Sequence, residues 1–95
     1  MSEPTKGVQE ASGPLNVVTL IDSFIKCSYG YDEPDSICAN QVTLNRILDL
    51  LPKDDKRFMG VDFLISGSLE DGIVEFRNSN HPDLRPYNLR LRLEK

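Results

Sequence analysis

The chain contains no tryptophan, a single histidine and only two cysteines among its 95 residues. Two cysteines cannot form the several disulfides of a small secreted scaffold, and together with one histidine they fall short of the four ligands of a structural zinc site. The histidine, His81, lies between Asn80 and Pro82 with no cysteine beside it. We therefore predict no metal site, and we expect Cys27 and Cys38 to be free thiols.

Long apolar runs are also missing. The most apolar stretch, residues 17–25, is interrupted by Thr19, Asp22 and Ser23, and it is much shorter than the roughly 20 residues that cross a bilayer. The N-terminus has no basic segment followed by an apolar one, which a secretory signal would have. We therefore expect an intracellular protein, cytoplasmic or nuclear, that has no membrane span and is not secreted.

Catalytic signatures are absent from the sequence as well. Gly67 and Gly72 have the separation found in phosphate-binding loops, but Ile73 and Val74 stand where such a loop carries Lys and Ser or Thr. Neighbouring acids such as those at 54–55 lack the burial or partners that would separate their pKa values for acid–base catalysis. The sequence therefore predicts no enzyme, no catalytic residue and no cofactor.

Positive charge is in deficit, because 11 lysines and arginines stand against 15 aspartates and glutamates, a net charge of −4. Proteins whose whole surface binds nucleic acid usually carry the opposite field. The deficit is concentrated in residues 1–55, with 4 basic and 9 acidic side chains, whereas residues 56–95 carry 7 and 6. A local basic strip near the C-terminus is therefore compatible with this acidic chain.

The length predicts one domain with one core. Residues 1–14 contain two prolines, two glycines and few apolar side chains, a composition that cannot offset the entropy of ordering. We therefore predict a disordered N-terminal tail over residues 1–14 and a single globular α+β domain over residues 15–95.

The clearest element is a helix over about residues 41–51. Asn40 is a suitable N-cap, and Pro52 ends the pattern. Residues 17–29 are ambiguous, because their β-branched side chains favour a strand whereas their length favours a helix. We predict a strand there, with a helix as the alternative. The helix predicted at about residues 41–51 is supported by four apolar residues at helical spacing: Leu44, Ile47, Leu48 and Leu51.

The remaining pattern alternates with the period of β-strands. The Asp71–Gly72 step predicts a hairpin turn between a strand that begins near Phe58 and the strand at residues 73–76. Together with a last strand, they predict an antiparallel, three-stranded C-terminal meander on which the helix packs. The predicted inward side chains are Met59, Val61, Phe63 and Ile65 in the first strand and Leu89, Leu91 and Leu93 in the last.

The order of an early apolar strand, a short helix containing Asn45-Arg46-Ile47-Leu48 and a following hairpin resembles the core of rhabdovirus matrix proteins. The resemblance covers roughly half of the chain and includes no functional motif, so no residue role is carried over from it. It implies that the chain is a structural protein of a virus matrix type.

The last strand carries the candidate site. Because its leucines face the core, Arg90 and Arg92 project together from the opposite side, and Arg77 on the neighbouring strand joins them. Tyr87 precedes them near the same edge. These four residues are the predicted partner-binding set, and they suit either a protein or an anionic ligand.

Three functions follow from these observations. The first is a non-enzymatic protein-binding or self-assembly module that acts through its sheet face or edge, with a protein partner or a second copy of the chain. The alternative is nucleic-acid binding by the face of Arg77, Arg90 and Arg92, with Tyr87 stacking on bases. The third is the matrix-like structural role that the resemblance implies.

Overall fold

A computed structural model describes residues 6–52 and 57–94, and within them the chain forms two α-helices and a six-stranded mixed sheet. The predicted α+β class is confirmed. One-turn 3₁₀ helices lie at Tyr29–Tyr31 and Arg85–Tyr87. The other elements are β1 (Gln9–Pro14), α1 (Val17–Lys26), β2 (Ser36–Ala39), α2 (Gln41–Leu50), β3 (Arg57–Phe58), β4 (Val61–Ile65), β5 (Ile73–Arg77) and β6 (Leu89–Glu94).

The strands lie in the order β1-β6-β5-β2-β4-β3. β1 pairs with β6 and β2 with β4 in parallel, and the other neighbours are antiparallel. The sequence did not reveal β2, because four residues are too few to establish a period. Three of them, Ile37, Cys38 and Ala39, are buried, as expected of an inner strand covered on both faces.

The predicted meander is wrong at its first turn. β4 and β5 do not pair, because β2 lies between them and bonds to both. Gly72 does adopt a positive φ of 86°, but its N–H donates to Thr43 Oγ1 at 2.8 Å and its carbonyl accepts from Leu93 N–H at 2.7 Å. The tight hairpin instead joins β3 to β4 through Met59 and Gly60, whose φ values of 51° and 81° fit a type I′ turn.

The strand predicted for residues 17–29 is wrong, and the helical alternative is confirmed over Val17–Lys26. Asn16 caps α1, because its Oδ1 accepts the N–H of Thr19 at 2.9 Å. The helix buries Leu20 and Phe24 against the sheet. This packing outweighs the weak preference of β-branched residues for strands.

The predicted N-terminal tail differs from the structure at Gln9–Pro14, which form β1. The N–H of Gln9 donates to Asn88 O, and the N–H of Leu15 donates to Glu94 O, each at 2.9 Å. Composition alone could not reveal this strand, because its hydrogen bonds come from a distant segment. Residues 1–5 of the predicted tail lie outside the described residues.

The predicted helix at about 41–51 is confirmed as α2, which ends at Leu50. Asn40 is its N-cap, since the side-chain oxygen accepts the N–H of Thr43 at 2.8 Å. Thr43, Leu44 and Ile47 are buried. The helix follows β2 directly and packs on β4, so it forms part of the crossover between these parallel strands.

Both helices lie on one face of the sheet. The ring of Phe24 in α1 packs edge-on against Phe58 in β3 and Phe76 in β5, with centroid distances of 6.0 and 6.3 Å. Two residues of the predicted inward set, Met59 and Ile65, are instead more than half exposed, because Met59 lies in the turn and Ile65 at the end of β4. The core cluster consists of Leu20, Phe24, Cys27, Ile37, Ala39, Leu44, Ile47, Phe58, Val61, Val74, Phe76, Leu89 and Leu91.

Two of the three elements behind the resemblance to rhabdovirus matrix proteins differ in the structure. The early strand is α1, and the hairpin expected between β4 and β5 does not form because β2 separates these strands. Of the three elements, the helix is observed as expected, and the hairpin that follows it joins β3 to β4 instead.

Candidate functional site

The sheet face opposite the helices carries the candidate site, and we call it the open face. Side chains alternate along a strand, and Leu89 and Leu91 are buried in the core, so Arg90 and Arg92 project from the opposite side. Cross-strand register then assigns the remaining members. The open face comprises Glu10, Ser12, Ser36, Cys38, Asp62, Leu64, Ile73, Glu75, Arg77, Arg90, Arg92 and Glu94.

Glu75 is the centre of this face. One of its carboxylate oxygens, Oε2, accepts hydrogen bonds from Arg90 Nε at 3.1 Å and Nη2 at 2.9 Å. The other, Oε1, accepts from Arg77 Nε at 2.9 Å and also from Arg77 Nη2. The two guanidinium groups therefore share one carboxylate, and each uses its forked geometry to bind it.

The pKa of Glu75 reflects this arrangement. Burial alone would raise the pKa, because only 13 % of the side chain is exposed. The hydrogen bonds and charges of Arg77 and Arg90 outweigh burial and hold the pKa below its usual value. In return, the hydrogen bond to Glu75 raises the pKa of Arg77. The cluster is therefore charged at neutral pH and fixed in position.

Arg92 differs from the other two arginines. Within residues 6–52 and 57–94 it has no hydrogen-bond or ion-pair acceptor. It lines a groove of about 390 Å³ across β1, β6 and β5, together with Glu10, Ser12, Ile73, Arg90 and Glu94. The Arg92 guanidinium is thus available to a ligand at the open face.

A second groove of about 390 Å³ borders the other end of the open face. Arg77 and Ser36 contribute polar groups to it, and Val8 and Pro82 contribute apolar ones. At its rim Ser79 Oγ bonds Asp35 Oδ2. The two grooves lie on either side of the Glu75 cluster, so Arg77 and Arg92 each border one of them.

Tyr87 does not belong to this set. It lies in the one-turn helix before β6, where its ring stacks on His81 at a centroid distance of 3.8 Å and meets Tyr29 edge-on at 5.3 Å. His81 Nε2 in turn lies 2.6 Å from Asp32 Oδ2. One face of the Tyr87 ring is therefore occupied by His81. Of the four predicted site residues, Arg77, Arg90 and Arg92 lie on the open face and Tyr87 does not.

The two cysteines lie on opposite faces of the sheet. Cys27, at the end of α1, is buried in the main core, and burial raises its pKa to about 12. Cys38, in β2, is covered on the open face by Leu69 and Ile73. Burial raises its pKa too, although the nearby Arg77 charge opposes the shift. Both thiols are free, as predicted, and both are protonated at neutral pH.

The described part of the chain contains no group of three or more histidine, cysteine or acidic residues that could hold a metal ion. Neither of the two described helices is long and apolar enough to span a bilayer. No protein-family model, curated protein or solved structure matches the chain.

Proposed function

We propose that this chain is a non-enzymatic protein-binding module whose open face binds a carboxylate-bearing segment of a partner protein. The observation that carries the proposal is the state of Arg92, an exposed guanidinium in a groove, without an acceptor among the described residues. Beside it, Glu75 holds Arg77 and Arg90 in place. A partner carboxylate would bind the Arg92 guanidinium, and this side chain alone would have to be ordered, because Arg90 beside it is already held.

The charge balance of the open face supports a protein partner over nucleic acid. Arg57 forms an ion pair with Asp62 at 2.9 Å, which adds a fourth arginine beside this face. With Arg57 included, four arginines stand against four acids, so the open face and this neighbouring arginine together carry no net charge. Nucleic-acid binding depends on a surplus of cations that displaces counterions, whereas protein surfaces carry both signs. The four acids are Glu10, Asp62, Glu75 and Glu94.

The proposal that the module is non-enzymatic rests on the neutralised cluster. Glu75 is bonded by two arginines, which hold it ionised and leave it unsuited to proton transfer. The histidine lies off the open face, paired with Asp32 and stacked on Tyr87. The groups of the open face are therefore suited to binding and not to acid–base chemistry.

The test compares variants of the full chain in quantitative affinity purification from an extract of the source cells. We expect an Arg90→Ala, Arg92→Ala double variant to lose at least about 80 % of a partner protein that the unchanged chain retains, because two guanidiniums contribute on the order of 1–2 kcal/mol each. Arg85→Ala is the matched control, since Arg85 is exposed but lies outside the sheet.

Two outcomes would contradict the proposal. In the first, the double variant retains the same proteins in the same amounts as the Arg85→Ala control. In the second, the retained material absorbs at 260 nm and is released steeply by salt, which would transfer the open face to the nucleic-acid alternative.

A further inference from the structure

α1 carries an apolar stripe on the side that faces away from the sheet. Val18 and Ile25 are 65 % and 60 % exposed, and Tyr29, which follows the helix, is 38 % exposed. Val18 and Ile25 are seven residues apart, so they lie along one side of the helix, whereas Tyr29 lies in the one-turn 3₁₀ helix beyond its end. Helices at a protein surface usually present polar residues there.

α2 provides the comparison within the same molecule. Its exposed positions are Gln41, Val42, Asn45 and Asp49, so the outer side of α2 carries one apolar residue, in the first turn, and is otherwise polar. α1 buries Leu20 and Phe24 on its inner side as α2 buries Leu44 and Ile47. The outward stripe of α1 is therefore additional to the apolar side that the fold requires.

Two opposite charges lie along this stripe, one helical turn apart. Asp22 and Lys26 are both exposed, and neither has an ion-pair partner within the described ranges. An acid followed by a base along one side of a helix is complementary to the same sequence running in the opposite direction. The stripe is thus complementary to a second copy of itself.

We propose that α1 is a self-association surface, on which α1 of a second copy packs antiparallel about a two-fold axis. With the axis level with residue 24, each Asp22 faces the Lys26 of the other copy. The two Ile25 side chains meet at the axis, and each Val18 lies toward the C-terminal end of α1 of the other copy. A parallel arrangement would instead bring the two Asp22 side chains together.

The proposed dimer would leave the open face accessible. α1 packs on β1 and β6 from the core side, whereas Arg90 and Arg92 lie on the opposite side of the sheet. The inference therefore goes beyond the partner-binding function and does not depend on it. An interface made by one ten-residue helix per copy is small, so we expect dissociation constants in the micromolar range or weaker.

The first test is sedimentation velocity of the full chain between about 5 and 500 µM, a range that brackets micromolar dissociation. We expect reversible dimer formation, and we expect Ile25→Ser to weaken it roughly 100-fold, because each dimer loses two apolar side chains at the axis. Val42→Ser is the matched control, since Val42 is an exposed valine on α2. This control should dimerise as the unchanged chain does.

The second test uses charge exchange. Asp22→Lys alone places two basic side chains together in each pair of the dimer, and Lys26→Glu alone places two acids together, so each variant should dimerise roughly 10-fold more weakly. A mixture of the two variants should recover the affinity. In the proposed register, one variant supplies bases at both positions and the other supplies acids at both, so both pairs are again of opposite sign. Recovery on mixing also demonstrates that both variants are folded.

Several results would overturn the proposal. They are a monomer at every concentration, a dimer that Ile25→Ser does not weaken, and a dimer in which mixing restores nothing. A stripe that binds phosphatidylcholine vesicles in flotation while the chain remains monomeric would assign α1 to a lipid surface instead. Loss of partner protein in the Arg90→Ala, Arg92→Ala variant tests the open face separately, because that variant should dimerise normally.

Discussion

Glu75 organises the open face because its side chain lies between two arginines, one on its own strand and one on the neighbouring strand. Register puts Arg90 directly opposite it on β6, and Arg77 lies two residues along β5. Both guanidiniums reach the same carboxylate. Replacing Glu75 would leave these arginines without their shared acceptor. The resulting loss of stability depends on whether the Glu75 carboxylate is ionised.

The pKa of Glu75 gives the pH dependence. Because this pKa is lower in the folded chain than the ordinary value of 4.5, folding favours the ionised form. The resulting stabilisation is complete above pH 4.5 and is lost as the pH falls through the folded pKa. We therefore expect Glu75→Gln to be less stable than the unchanged chain at neutral pH, with a difference that shrinks on acidification.

Urea unfolding between about pH 7 and pH 3, the range in which carboxylates titrate, measures this difference. Glu70→Gln is the control, because Glu70 is an exposed acid in the loop before β5. A stability difference for Glu75→Gln that stays constant over the whole range would show that the ion cluster does not stabilise the fold.

At the level of single residues, the sequence predicted part of the candidate site. Arg90 and Arg92 were assigned to one face correctly, because alternation with buried leucines determines the direction of both side chains. The role of Glu75 was missed, although its position between Val74 and Phe76 gave the same signal. The position of Tyr87 could not be predicted, because its contacts with His81 and Tyr29 depend on loops.

Among the elements, the two helices begin with the same residue type but in different surroundings. The hydrogen bonds of the Asn16 side chain are to Thr19, within its own helix turn. Asn40 caps α2 and also donates from Nδ2 to Leu69 O at 3.2 Å and to Asp71 Oδ1 at 2.6 Å. Asn40 therefore fastens the loop before β5 to the start of α2.

We expect Asn16→Ala to lower the free energy of unfolding by about 1 kcal/mol, the usual value of an N-cap. Asn40→Ala should lower it by about 2 kcal/mol or more, because the cap and the loop contacts are lost together. Chemical denaturation measures both, with Asn45→Ala at an exposed site of α2 as the control. Equal losses at the two caps would mean that the loop contacts of Asn40 contribute nothing.

β1 permits a test with two adjacent residues. The N–H groups of Gln9 and Leu15 point toward β6, so alternation directs the N–H of Ala11 to β6 and that of Ser12 away from it. Proline has no N–H to donate. Ala11→Pro should therefore cost about 2 kcal/mol or more, whereas Ser12→Pro should cost less than about 1 kcal/mol.

Thermal or urea unfolding separates the two variants. If residues 9–14 were a flexible tail, neither proline would change the stability. A larger loss for Ser12→Pro than for Ala11→Pro would contradict the register of β1 on β6.

The elements differ in how far the sequence determines them. α2 was predictable because its period, its Asn40 cap and its end all lie within one segment of the chain. β1 and β2 were not, because short strands acquire their hydrogen bonds and burial from distant partners. For α1, local preference and tertiary packing disagreed, and packing decided the outcome.

Across the whole molecule, the sheet separates two layers of buried side chains. Cys27 lies under α1 in the main core, whereas Cys38 lies on the open face beneath Leu69. Lifting the loop before β5 would remove Leu69 and uncover part of Cys38, while Ile73 in β5 stays in place. Exposing Cys27 requires α1 to leave the sheet.

We therefore expect a thiol reagent to label Cys38 in a Cys27→Ala variant faster than it labels Cys27 in a Cys38→Ala variant. Adding Leu69→Ala should accelerate the labelling of Cys38 and leave the rate at Cys27 unchanged. The readout is the labelling rate in native buffer. Identical rates at the two sites would indicate that both thiols become accessible only through global unfolding.

The pairing of β1 with β6 has a consequence for synthesis. β1 lies near the start of the chain, and the strand beside it follows about eighty residues later. During translation β1 leaves the ribosome long before its partner exists, while α1 and α2 can already form from local contacts. The order of synthesis therefore requires β1 to remain unpaired until β6 has emerged, so this edge of the sheet is completed last.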